Sequence, residues 1–348
     1  MNFSNDRESV DVTYYDQTSR YQIRLVNTSI NTGLSTAILK SGVLGNTGIE
    51  LKINTVPVST KDWKWTLGFN FARNSNKVLS LGDANMYEIE NAEWVGTAGV
   101  RVMAIVGQQL GTIIGKDYLR NENGEIIVDP STGLPSVTDF YTILGNSHWD
   151  WTGGINTSLR WKNLSFNAII DIKVGADIYS QTMRSTFSSG KAKETITGRD
   201  GWYRSEEQRL SQGLEPAQWT PTGGYLVQGV NKVTNPDGTI TWAPNERYCD
   251  PEKYYSFLAN NIPGYFTMDN SYVKIREMSL TYNFPKKLLG EALQGLSLSL
   301  VARNPLIIYR NVPNIDPDSS YNNSNGKGIE YGSLPSRRSL GFNLNVKF

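Results

Sequence analysis

The last nine residues, Leu340-Gly341-Phe342-Asn343-Leu344-Asn345-Val346-Lys347-Phe348, alternate without a break. Every even position is apolar, and every odd position is small, polar or charged. Successive side chains on a strand point to opposite faces, so this segment has one greasy face and one wet face. In a water-soluble fold the greasy face covers a core. In an outer-membrane barrel it meets lipid while the wet face lines the lumen. A last strand ending in an aromatic ring fits the barrel, and the rest of the chain has to decide.

The same two-residue period recurs upstream. Trp63, Trp65, Leu67, Phe69 and Phe71 share a face opposite Lys64, Thr66 and Asn70. Trp149, Trp151, Ile155, Leu159 and Trp161 share another, opposite Asp150, Asn156, Ser158 and Arg160. Leu164, Phe166, Ala168 and Ile170 form a third, Met278, Leu280, Tyr282 and Phe284 a fourth, and Leu296, Leu298 and Leu300 a fifth. Val273 and Ile275 fall out of register with the Met278 face, which predicts a bulge or a strand end clear of the bilayer. The stretch from Trp151 to Trp161 has the length of a tilted spanning strand with tryptophan near both ends. Trp63, Trp65, Trp149, Trp151 and Trp161 therefore read as an interfacial belt.

These patterns predict nine strands, near 8–15, 20–25, 48–58, 63–73, 149–161, 164–176, 272–284, 296–309 and 337–348. Short links at 59–62, 162–163 and around 285–287 alternate with long ones at 26–47, 74–148, 177–271 and 310–336. Outer-membrane barrels alternate short periplasmic turns and long external loops in this way. An odd antiparallel set does not close on itself, so the expectation is an incomplete barrel. Within the long links, residues 181–212 carry helical spacing, and Asn121-Glu122-Asn123-Gly124 and Asn235-Pro236-Asp237-Gly238 read as tight turns.

Composition excludes several classes. No run of about 18 apolar residues exists, so no transmembrane helix is expected. The net charge of +1 gives no broad basic field for nucleic acid. One cysteine, Cys249, and one histidine, His148, exclude an intrachain disulfide, a Cys-based zinc site and a multi-histidine metal site. His148 reads as an ordinary loop or rim residue and Cys249 as a buried or loop thiol, leaving no catalytic constellation and no expected enzyme activity. Asp316 and Asp318 flank Pro317 and could offer carboxylates to Ca²⁺, although an Asp-Pro turn reads better. Otherwise no metal or cofactor is implied. Glu206-Glu207 reads as a solvated helix face, and Gly153-Gly154 as a kink or close approach in the wall. Trp202, Tyr203, Trp219, Tyr225, Trp242 and Tyr248 lie in the long links and are the candidate substrate-binding residues, because flat rings stack on sugars and peptides. Their competing reading is that they hold the loops together or form a protein interface. Phe342, Leu344, Val346 and Phe348 are the candidate signal for barrel insertion.

Five stretches in this order resemble the carboxyl-terminal portion of SusC/RagA-type TonB-dependent outer-membrane transporters. They are Gly45-Asn46-Thr47-Gly48-Ile49-Glu50-Leu51, Val106-Gly107-Gln108-Gln109-Leu110-Gly111-Thr112-Ile113, and Leu144-Gly145-Asn146-Ser147 leading into Trp151-Thr152-Gly153-Gly154. The fourth runs from Ser271 through Lys274-Ile275-Arg276 to Phe284-Pro285. The fifth joins Ala302-Arg303-Asn304-Pro305-Leu306 to Asp316-Pro317-Asp318 and the terminal strand. The resemblance implies an all-β, antiparallel transmembrane barrel, of which residues 1–348 would supply about the last nine of 22 strands with long external loops. It further implies an outer-membrane nutrient importer for oligosaccharides or peptides, with a SusD-like lipoprotein lid and TonB energy coupling through an amino-terminal part. The polar start of the chain shows no signal peptide, and no TonB box or plug is expected within it. Two other readings compete: a soluble secreted β-protein that binds glycans through its loop aromatics, and a truncated, non-functional remnant. Insolubility without detergent would separate the transporter from the soluble protein.

Overall fold

A computed structural model describes residues 2–3, 7–27, 36–91, 99–290, 292–319 and 327–348. A nine-stranded antiparallel sheet forms a wall whose spatial order is the chain order. Its strands are Asn2–Phe3, Glu8–Asn27, Thr36–Ser59, Trp63–Ser80, Trp151–Trp161, Leu164–Val174, Tyr272–Asn283, Gly295–Arg310 and Ser339–Lys347. Asn2–Phe3 and Ser339–Lys347 are the edges, so the wall is an open arc of a barrel.

Two expectations are corrected. Segments 8–15 and 20–25 are one strand of 20 residues, bent where Tyr21 takes a positive φ of 57° and the pairing slips. The link placed at 26–47 is strand from Thr36 onward. Both errors arise because polar residues at Asp16–Arg20 and Lys40–Asn46 interrupt the apolar pattern, while backbone pairing continues past them.

Cross-strand pairing carries the alternation across the wall. Trp65, Leu159, Phe166, Leu280, Leu300 and Phe342 lie in register from strand to strand as one apolar row. One residue along, Lys64, Arg160, Ser165, Thr281, Ser299 and Asn343 form the matching polar row. Because the side-chain period is two, the six strands that carry these rows share one register along them. The row opens to the surroundings toward the Ser339–Lys347 edge, where Leu300 is 59% exposed and Phe342 79%, while Trp65, Leu159 and Phe166 are half-buried. Trp63 stacks on Trp161 with centroids 5.8 Å apart beside the short 60–62 and 162–163 turns. Phe71 and Trp151 meet at 5.6 Å at the opposite end. Rings at both ends of a spanning strand match an interfacial belt. Gly153 gives this pair room, since a Cβ there would lie 3.3 Å from the Trp151 ring, and on the other face a Cβ at Gly154 would lie 2.5 Å from Asn70 Oδ1.

The anticipated bulge is present. Pairing on both sides of Tyr272–Asn283 skips Arg276.

Links 81–150, 175–271 and 311–338 all leave one end of the wall, where segments of all three pack into a cap. It contains α1 (Gln181–Ser188), α2 (Arg199–Ser211) and α3 (Pro251–Asn261). Ser180 caps α1 by accepting from Met183 N–H, and Asp250 with Pro251 starts α3. Gly198 (φ 87°) turns into α2 where a Cβ would collide with the Gly224 backbone. The cap holds the main hydrophobic core, which includes Val102, Ile113, Tyr179, Phe187, Leu258, Ile262, Phe266 and Ile329. No helix among the described residues is long and apolar enough to cross a membrane.

Candidate functional site

The sequence-predicted aromatics divide between surface hollows and core. Trp202 and Tyr203 sit on α2. Buried Ser205, one turn on, accepts from Trp219 Nε1 at 3.1 Å and from the Thr222 amide at 3.0 Å, which pins the 216–222 segment against the helix. Tyr248 enters from a short strand paired with Tyr225–Leu226. Trp202, Trp219 and Tyr248 thus line one hollow of about 440 Å³, together with Glu206, Arg209 and Arg247. Arg209 is held by Glu206 at 2.9 Å and by Leu214 O at 2.6 Å. Glu206 is therefore not a freely solvated residue, contrary to expectation. Arg247 Nε is buried there without a hydrogen-bond partner among the described residues. A second hollow of about 310 Å³ shares Trp202 and adds Tyr203, Arg199, Glu252 and Tyr255.

Two of the six rings serve elsewhere. Tyr225 stacks on Tyr254 at 4.0 Å and packs against the cap core. Trp242 lies on the Val230–Thr234/Ile240–Pro244 hairpin and donates to Glu122 Oε1 at 2.9 Å. The hairpin turns at Asn235-Pro236-Asp237-Gly238, where Gly238 has a φ of 83°. Sequence reasoning missed Arg247 and Ser205, since a single Arg or Ser in a loop carries no periodic signal.

The Asp-Pro-Asp turn is built into the wall. Lys274, 1% exposed, reaches Asp318 at 2.8 Å and Asp316 at 3.3 Å and also meets Ser336. The bulge turns Arg276 onto Asp318 (2.9 Å) and Asp171 (3.0 Å). Tyr272 Oη donates to Asp318 at 2.7 Å. Burial works against the charged form of Asp318, but hydrogen bonds from Arg276, Lys274 and Tyr272 outweigh it and hold the carboxyl well below its ordinary range. Asp316 and Asp318, the Ca²⁺ candidates, are thus engaged by protein cations. Among the described residues no group of three or more His, Cys, Asp or Glu is placed to hold a metal. Only the out-of-register Val273-Ile275 hinted at this latch.

Cys249 is buried and bonds the Tyr225 carbonyl, and burial pushes its thiol up to about 12. Burial, with Lys327 nearby, lowers His148 to about 4. Neither is poised as a nucleophile or base at neutral pH. Trp149, expected in the belt, lies outside the Trp151–Trp161 strand and packs edge-on to Tyr272 at 5.7 Å. Leu340, Phe342, Leu344 and Phe348 project from the edge strand or just past it, all strongly exposed, and Val346 is half-buried.

No family model matches the chain. It is 26% identical over 341 residues to TonB-dependent receptor P3 of Formosa agariphila, covering 91% of the chain and 30% of that protein. It is 28% identical over 182 residues to TonB-dependent receptor SusC of Bacteroides thetaiotaomicron, covering 50% of the chain and 17% of that protein. The fold matches a chain of the RagAB peptide transporter with a TM-score of 0.68 at 18% identity, over 99% of this chain and 33% of that one. The chain spans about a third of the length of its first curated relative. It is similar to the carboxyl-terminal portion of a SusC/RagA-type TonB-dependent transporter, and its fold is a partial antiparallel β-barrel.

Proposed function

We propose that this chain forms barrel wall and external binding surface of an outer-membrane importer. One observation carries the reading. The apolar row from Trp65 to Phe342 is continuous across the wall, half-buried from Trp65 to Phe166 and exposed from Leu280 to Phe342, while the compact core sits in the cap at one end. In water, an exposed apolar face of this extent marks a contact surface. With aromatic rings at both ends of the strands, hydrocarbon is the surrounding that fits. The same observation counts against the soluble glycan binder.

In this reading the cap receives an oligosaccharide or a peptide, and the hollow of Trp202, Trp219, Tyr248 and Arg247 is the first contact surface. Rings offer stacking area, and an unpaired guanidinium seeks a carboxylate or carbonyl. A SusD-like lipoprotein closes over the cap, and TonB supplies energy through a part of the transporter outside residues 1–348. The work is binding and gated passage, with no bond made or broken.

The test starts with the outer-membrane fraction of the native organism, blotted with an antibody to 296–348. The expected result is a detergent-dependent membrane band, together with loss of growth on one oligosaccharide or peptide mixture when the gene is deleted. A protein that stays soluble without detergent overturns the reading.

A further inference from the structure

We propose that a third hollow, of about 190 Å³ where the cap meets the polar face of the wall, binds the carboxylate of a small organic ligand between Lys173 and Lys327, beside the ring of Trp149. The proposal goes beyond the importer reading, because it concerns binding at a site distinct from the Trp202 hollow.

Four observations converge. First, two polar side chains in the lining are more than nine-tenths buried and incompletely satisfied. Asn270 gives its side-chain N–H to Pro317 O at 2.9 Å, and among the described residues neither its Oδ1 nor Ser319 Oγ has a partner. Buried polar atoms are rarely left this way in folded proteins, because each costs the desolvation of a lost hydrogen bond. Second, Lys173 and Lys327 both line the hollow, and among the described residues neither has a carboxylate within ion-pair distance. Burial and the charge of Lys173 lower the Lys327 ammonium, the response of a cation that lacks a counter-charge. Third, the carboxylates that also line the space are otherwise occupied. Asp318 is bound by Lys274 and Arg276, and Asp177 accepts the Asn146 amide at 2.9 Å while burial and the charges of Asp269 and Asp150 push its carboxyl toward the neutral form. Fourth, Lys173 Nζ lies 5.6 Å from the Trp149 centroid and 5.7 Å from that of Tyr272. This holds the ammonium in place and leaves an aromatic surface in the lining for the apolar part of a ligand.

A carboxylate supplies the missing counter-charge to both lysines and can accept from Ser319 Oγ. An N–H or O–H on the same ligand supplies the donor that Asn270 Oδ1 lacks. Two sources carry that combination, the carboxyl-terminal end of a peptide and an acidic sugar.

The experiment uses the full natural protein, purified in detergent and titrated calorimetrically with two matched pairs. Trialanine is compared with its carboxyl-terminal amide, and glucuronate with glucose. The carboxylate member of one pair should bind at least about ten-fold more tightly than its neutral partner, as a charge-assisted hydrogen bond requires. Preference within the peptide pair names peptide ends, and preference within the sugar pair names acidic sugars. Lys327→Gln should erase the preference and Lys327→Arg should keep it. If Lys327→Gln misfolds, Ser319→Ala serves, with an expected loss of about five-fold. Equal binding within both pairs, no binding of either, or a preference that survives these substitutions overturns the site. Uptake does not enter, so this outcome and that of the importer test are independent.

Discussion

Leu300 in the wall and Leu258 in the cap are the same side chain in opposite surroundings. Leu300 points away from the protein on the exposed row, while Leu258 is fully buried among Tyr254, Ile262 and other core residues. The difference shows where each region gets its stability. The cap excludes water by packing on itself, as any small domain does. The wall packs little on its apolar face, and its strands are held by ladder hydrogen bonds and cross-strand pairs. That arrangement suits a lipid surrounding, where every backbone group must be paired within the protein.

The comparison breaks most sharply at the edge strand. Deleting Leu340 to Phe348 from the full-length gene removes the last row of the apolar face and exposes the ladder of Gly295–Arg310. Surface display, read by antibody on intact cells, should be abolished, and normal display would refute the role of Phe342, Leu344, Val346 and Phe348 in insertion. Next is the latch that joins the two regions. Asp318→Asn removes a charge facing Lys274 and Arg276, and loss of one partner from a largely buried pair costs about 3 kcal/mol. Proteolysis within 311–338 should quicken while the wall keeps its heat-modifiable migration on gels. Equal protection would show that the latch holds nothing. Leu258→Ala should cost the cap a similar amount, about 3 kcal/mol. Leu300→Arg should instead cost the wall about 2 kcal/mol or more in bilayers. The two substitutions sharpen the contrast if the first loosens only the cap, by hydrogen exchange, and the second only insertion.

The smallest effect is on pH. Asp318 has a depressed folded-state value, so its contribution is present above its unfolded range near 4 and fades as pH falls below that. The same sign holds for His148, whose neutral form is favoured by burial. Its contribution is complete above about 6.5 and is lost as pH falls toward 4. His148, the one histidine of these 348 residues, should give an imidazole NMR signal titrating near 4, assigned by its loss in His148→Gln, and a midpoint near 6.5 would show that the cap is open around it.

The strands, their faces and the short turns were legible because each rests on neighbours in sequence. Alternation at Leu340–Phe348 or Trp63–Phe71 is enough to set a face, and Asn-Pro-Asp-Gly is enough to set a turn. The helical texture of 181–212 was legible for the same reason, and α2 covers Ser205–Arg209 as its spacing suggested. The hollow was half legible. Its rings announced themselves by type, but nothing local told Trp202 and Trp219 from Tyr225, which the fold commits to the core. The continuation of the early strands through Asp16–Arg20 and Lys40–Asn46 depends on a partner strand, so the local pattern ended too soon.

The sequence by itself determined which face of each wall strand is apolar, because side-chain direction is fixed by the backbone one residue at a time. Tertiary structure alone decided the latch of Lys274 and Arg276 on Asp316 and Asp318, about forty residues away along the chain. It alone bonded Glu330 to Ser180 and left Asn270 and Ser319 incompletely paired around one hollow. Those facts turn on which side chains share a low-dielectric space, and burial, unlike alternation, is a property of the assembled chain.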